Sequence, residues 1–132
     1  MIVFDAGPLV AIINLEPGAA VARRLLRNHK GECAIHAVNL LEVFYGFERA
    51  KGTAFAERVL DLVEKSGVGV RGDFDRAFLM DAGHLKTTYK VSLADTFDVA
   101  LARRLGAPFV TTDHHELDAV DAAGVCQMLF IR

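Results

Sequence analysis

Asp5, Glu42, Asp95, Asp98 and Asp113 are the residues whose types and positions suit chemistry in this chain. Each carboxylate ends or interrupts an apolar run: Asp5 closes "MIVFD", Glu42 breaks "NLLEVF", Asp95 and Asp98 lie in "SLADTFDVAL", and Asp113 follows "PFVTT". Carboxylate oxygens are hard donors that suit divalent cations such as Mg²⁺ or Mn²⁺. Glu42 raises the question most sharply, because no lysine or arginine lies between Lys30 and Arg49, and a carboxylate taken out of water without a positive partner is costly. A bound divalent cation would offset that cost.

Acids so distant in sequence meet only if the fold gathers them. Met1 to Asp5 reads as a strand, and Gly7 to Gly31 carries helical signals, with Pro17 at a helix start and Gly31 at its stop. "CAIHA" reads as a second strand; the next helix has Leu40, Leu41, Phe44, Phe47 and Glu48 at helical spacing, Asn39 as its cap and Gly52 as its stop. "TAFAERVLDLVEKSG" places Phe55, Val59, Leu62 and Val63 on one helix face, closed by Gly67. "VGV" is a third strand and Asp73 to Lys90 one long helix. Ser92 to Gly106 is a helix capped by Ser92, with Arg103 and Arg104 suiting the dipole in its last turn. "APFVTT" is a fourth strand, "DHHELDAVDAAG" a short helix or turn, and "VCQMLFI" a closing strand.

Strands alternating with helices predict an α/β fold, three-layered, with a mostly parallel central sheet of about four to five strands covered on both faces. Ligands of such sheets gather at the carboxyl ends of the strands. Asp5 and Asp113 end strands, and Asp95 lies in the first turn of the helix before the fourth strand, so the three are expected to converge. Each also has a plainer reading. Ser92 and Asp95 have capping-box spacing, Asp113 can cap a helix starting at His114, Asp5 can bond the turn after its strand, and Glu42 can reach solvent. Asp98, three residues after Asp95, can be a ligand, a water-holding group or a solvent-facing neighbour. Singly the plainer readings prevail, except at Glu42; jointly the positions favour a site.

The remaining candidates are weaker. Imidazoles suit zinc, copper or iron, and no further Cys or His spacing supports a zinc site, so His114 and His115 are read as surface residues. Cys33 and Cys126, each within a short apolar run, are read as buried reduced thiols. A length of 132 residues with 52% hydrophobic content fits one domain over residues 1–132. The apolar stretches are too short to cross a bilayer and no secretory signal opens the chain, giving a cytoplasmic expectation with no membrane partner. A formal charge of -2 argues against nucleic-acid binding by bulk positive charge, although gathering acids into a metal site would leave the rest of the surface net positive. Arg23, Arg27 and Lys30, at helical spacing with Arg24 beside them, either grip phosphates or form a solvated face.

The segments "MIVFDAGPLVAIINLEPG", "VNLLEVFYGF" and "SLADTFDVALARRLGAPFVTTDHHEL", together with the length, resemble the PIN domain, and most closely the VapC-type toxin nucleases of toxin–antitoxin pairs. In that pattern an early Asp ends the first strand, a Glu lies on a following helix, an Asp starts a later helix, and an Asp follows a "VT" strand; the roles fall on Asp5, Glu42, Asp95 and Asp113. The resemblance implies an endoribonuclease dependent on Mg²⁺ or Mn²⁺, these four acids holding one or two ions and a metal-activated water hydrolysing RNA, transfer RNA among the expected substrates. Asp98, Thr111 and Thr112 would stand behind the ligands and steady them. A cognate antitoxin and a homodimer are implied as partners. The chain departs from the pattern at Gly7, where such domains usually carry Ser or Thr two residues after the first Asp, and loss of that hydroxyl would weaken metal affinity or rate. The competing reading is a noncatalytic PIN-like module that binds metal or RNA. A receiver domain fits worse, since no acid closes "VGV" and no Lys follows the fourth strand; a dehalogenase-type phosphatase needs a second Asp where Gly7 stands.

Overall fold

The apolar runs of the sequence become very short strands: β1 (Ile2–Phe4), β2 (Cys33–His36), β3 (Gly69–Arg71), β4 (Phe109–Thr111) and β5 (Met128–Phe130). In this computed structural model, which describes residues 1–132, they form one sheet in the order β3-β2-β1-β4-β5 with every pair parallel. Parallel neighbours need crossovers, and seven helices supply them: α1 (Ala6–Asn14), α2 (Ala19–Asn28), α3 (Ala37–Lys51), α4 (Thr53–Lys65), α5 (Arg76–Thr88), α6 (Leu93–Leu105) and α7 (His114–Ala122).

The alternation of side chains along a strand divides the apolar residues between two cores. Ile2, Phe4, Ile35 and Val110 pack with residues of α1, α2, α3 and α4 on one face. Val3 and Phe109 point the other way and pack with α5, α6 and α7. The result is the expected three-layer arrangement, with the parallel character complete rather than partial and the segment after Asp113 folded as a helix. No helix is long and apolar enough to cross a membrane.

Several local expectations change. β2 runs straight into α3, so His36 rather than Asn39 caps that helix: its Nδ1 accepts from the Val38 N–H at 3.1 Å, and Nε2, left as the donor, lies 2.9 Å from the Asp73 carbonyl oxygen. Asn39 is fully buried and donates to the Ala94 carbonyl at 3.2 Å, tying α3 to the start of α6. The long helix expected from Asp73 begins only at Arg76, because Asp75 accepts from the Phe78 N–H as its cap and Arg71 and Arg104 bind Asp73 in the loop before it. Pro17 precedes α2 instead of starting it; Gly18, at φ 91°, makes the entry. Cys33 is buried and Cys126 half-buried, and both are free thiols.

Phe109 has no exposed surface and Met80 is 59% exposed. In urea unfolding, Phe109→Ala is expected to lower stability by about 3–5 kcal/mol, and Met80→Ala to change it by no more than about 0.5 kcal/mol.

Candidate metal centre

The strand order puts a topological switch at β1, whose chain continues to β2 on one side while β4 pairs on the other, and the carboxyl ends at such a point are where ligands of open parallel sheets gather. Pairing of Val3 with Phe109 and of Phe4 with Val110 carries Asp5 level with Thr111. Asp5 leaves β1 as the cap of α1: Oδ1 accepts from the Ala6 N–H at 2.7 Å and Oδ2 from the Thr111 hydroxyl at 2.8 Å. The Thr111 hydroxyl accepts in turn from the Asp113 N–H at 3.1 Å. The turn-bonding role of Asp5 is therefore real, and it leaves lone pairs on both oxygens for a ligand.

α6 brings in the next acids. Ser92 caps it, its Oγ accepting from the Asp95 N–H at 3.2 Å. A full capping box would turn the Asp95 carboxylate back onto the Ser92 N–H; that N–H donates instead to Glu116 Oε2 at 2.9 Å. Asp98, one turn further, is completely buried, and neither of its oxygens has a hydrogen-bond donor. Oxygens of Asp5, Asp95 and Asp98 lie within 4.8 Å of one another, as do those of Asp95, Asp113 and Glu116, so Asp95 joins two groups. Asp113 caps α7, its Oδ1 accepting from the N–H groups of His115 at 2.9 Å and Glu116 at 3.3 Å.

Burial, then the nearby charges of Asp5 and Asp95, holds the Asp98 carboxyl well above the ordinary carboxylate range. Burial, then the charge of Asp5, pushes Asp95 up to about 8. Asp5 is raised by burial against the opposing hydrogen bonds from Thr111 and Ala6. None of these acids takes part in an ion pair; the arginines and the histidine of the structure's salt bridges are engaged with Asp73, Asp75, Asp81, Asp118 and Glu16. Oxygen donors alone, mutual repulsion, two buried oxygens without donors and no protein cation make a donor set that fits Mg²⁺ or Mn²⁺.

The other sequence candidates fall in different places. Glu42 is half-buried on α3 and raised by burial, then by the charge of Asp5, but lies outside both close groups. Thr112 is half-buried, with its hydroxyl against Gly7. Arg23, Arg27 and Lys30 are exposed, and Lys30 lies past the end of α2, which breaks the helical stripe. His114 stacks on Phe130 at 4.1 Å, with Nδ1 2.9 Å from Asp118 and Nε2 2.7 Å from the Arg132 carbonyl oxygen, so it fastens the chain's end; His115 is exposed. The sequence alone does not single out Glu116. Its one signal is the spacing of three residues after the cap Asp113, and its bond to Ser92 spans 24 residues.

The family model of the PIN domain matches residues 2–123. Among solved structures, a toxin–antitoxin complex from Klebsiella pneumoniae is similar with a TM-score of 0.74 at 17% identity, over 100% of this chain and 98% of that one. The sarcin-ricin-loop-cleaving toxin VapC20 of Mycobacterium tuberculosis gives 0.75 at 18% identity, over 94% and 95%. DNA-bound VapBC from Salmonella typhimurium gives 0.72 at 20% identity, over 100% of both chains. At these identities the likeness establishes the fold. No curated protein matches the sequence.

The raised acids make stability depend on pH in a defined direction. In cation-free protein Asp95 keeps its proton up to about pH 8, whereas in the unfolded chain an aspartate releases it near about pH 4. The folded state binds more protons across that window, so stability is full below it and falls as pH rises through it. Melting temperatures of EDTA-treated protein between about pH 5 and pH 8 are expected to decline, and saturating Mn²⁺ to raise them most at the alkaline end. A flat profile without metal would count against burial and mutual repulsion holding protons on the acid cluster.

Proposed function

The chain belongs to the PIN domain family, and from that premise we propose that it is an endoribonuclease dependent on Mg²⁺ or Mn²⁺ that acts in the cytoplasm as the toxin of a VapBC-like toxin–antitoxin pair. The observation that carries this reading is the group of Asp5, Asp95 and Asp98, buried together without any protein cation, at the switch point of a parallel sheet. The toxin–antitoxin complexes that share the fold support an antitoxin partner, and a toxin of the same fold that cleaves the sarcin-ricin loop supports structured RNA as the substrate class. Transfer RNA is the first substrate to try, and a homodimer the assembly to look for.

Asp5, Asp95 and Asp113 would hold the cation, with Glu42 closing the site from α3. Asp98 stands as a buried carboxyl beside Asp5 and Asp95, and Glu116 belongs to the second group around Asp95. When bound, the divalent cation lowers the pKa of water and offsets the charge that builds on a phosphodiester under in-line attack. The chain's own residues set the geometry. Thr111 holds one oxygen of Asp5 and the backbone of Asp113 together, so the acids of β1 and β4 keep a fixed separation. Ser92 and Glu116 share the capping of α6. Arg23 and Arg27 are exposed cations able to meet RNA phosphates.

The test is cleavage of a mixed structured RNA pool by folded protein with Mg²⁺, with Mn²⁺ and with EDTA. Metal-dependent cutting is expected from the parent, with loss of at least about a hundredfold in an Asp5→Asn, Asp95→Asn double variant. Saturable Mn²⁺ binding without cutting of that pool or of total transfer RNA would favour the noncatalytic module, the reading that Gly7, with no side-chain hydroxyl, favours.

A further inference from the structure

Gly7 sits in the first turn of α1, and its backbone does not lie in the left-handed region that favours glycine. Glycine inside a helix costs about 0.5–1 kcal/mol relative to alanine, so its presence here needs a reason other than backbone conformation. The reason is on β4's exit. A Cβ on residue 7 would overlap the Thr112 hydroxyl and come within 3.4 Å of Thr112 Cβ and 3.5 Å of Cγ2. Glycine thus leaves room for that hydroxyl at a cost in helix propensity.

The hydroxyl has no structural use that would explain the accommodation. Its neighbour Thr111 bonds both Asp5 and Asp113, whereas the Thr112 hydroxyl makes no hydrogen bond within the chain, and the residue is half-buried, directly before Asp113 in sequence. A donor without a protein partner, kept clear by a glycine two residues after Asp5 and lying one residue before Asp113, is placed for a ligand. We infer that Thr112 is a positioning residue whose hydroxyl donates to an oxygen acceptor brought to the Asp5 and Asp113 edge of the acid cluster. This rests on the nuclease reading, in which that acceptor is either a solvent oxygen gathered with the divalent cation or a phosphate oxygen of the RNA. It also changes the meaning of Gly7: the site keeps a hydroxyl at that point, supplied from the end of β4 instead of from α1.

Thr112→Val keeps the side chain's shape and removes the hydroxyl. It is expected to fold with the parent's melting temperature and to lose about tenfold in Mn²⁺ affinity or in kcat/KM for RNA, the range of losses at groups behind metal ligands. Weaker Mn²⁺ binding without RNA identifies the solvent oxygen; unchanged Mn²⁺ binding with a reduced kcat/KM identifies the phosphate. Thr112→Ser, which retains the donor, is expected to recover most of the loss. Gly7→Ala should reproduce the Thr112→Val defect by pushing the hydroxyl aside, yet add nothing in a Thr112→Ala background, and the Gly7→Ser, Thr112→Ala pair should regain function by moving the hydroxyl to α1. Should Gly7→Ala misfold, the Val and Ser variants of Thr112 decide. Parent-like Mn²⁺ affinity and parent-like kcat/KM in Thr112→Val overturn the inference and leave the nuclease reading intact. A parent that neither binds Mn²⁺ nor cuts RNA overturns both.

Discussion

Carboxylates that repel one another inside a protein must be held there by something stronger, and Asp5, Asp95 and Asp98 are held by the packing of two apolar cores. Asp5 follows a strand whose residues alternate between the cores, and Asp95 and Asp98 ride on α6, whose Val99, Ala100, Leu101 and Ala102 are buried against the sheet. Neither element can move away from the other without opening apolar surface to water, which costs about 25 cal/mol per Å². Repulsion is relieved instead by proton uptake, or by a cation.

Helix capping is the second device that serves the acid cluster. Asp5, Ser92 and Asp113 each cap a helix that starts at this end of the sheet, so the positive ends of α1, α6 and α7 face a region of negative charge and soften it. A cap fixes one oxygen of an aspartate and leaves the other for chemistry. At Asp5 the second oxygen is steadied by Thr111; at Asp95 the backbone donor that a full capping box would engage goes to Glu116 instead. The plain structural roles of these acids and their gathering in a site are thus one arrangement. Asn39 adds a cross-brace, joining the helix of Glu42 to the residue before Asp95, and its buried Oδ1 has no partner.

The overall negative charge is less informative than where it lies. With a formal value of -2, a chain that concentrates Asp5, Asp95, Asp98, Asp113 and Glu116 in two adjoining groups leaves an excess of cations over the remaining surface, Arg23, Arg24 and Arg27 among them. Charge counted along a sequence averages over a distribution that the fold has already separated.

Local physics was legible from the residues themselves. The apolar runs, the Ser92 cap, Gly106 closing α6 and the acid at the end of β1 follow from periodicity and from which residues satisfy a helix terminus, properties of neighbours in sequence. The alternation of strands and helices implied the parallel sheet, and the sheet implied where its ligands gather. The long-range partners were not legible. That Thr111 bonds Asp5 across 106 residues, that Glu116 takes the Ser92 N–H, that Asp98 is buried without a donor, and that Gly7 accommodates Thr112 depend on strand register and helix rotation. A shift of one residue in a strand turns every side chain to the opposite face. Sequence therefore determined which groups were available and on what elements; tertiary packing decided which of their atoms meet, because contact distances of about 3 Å are set by the relative placement of whole elements.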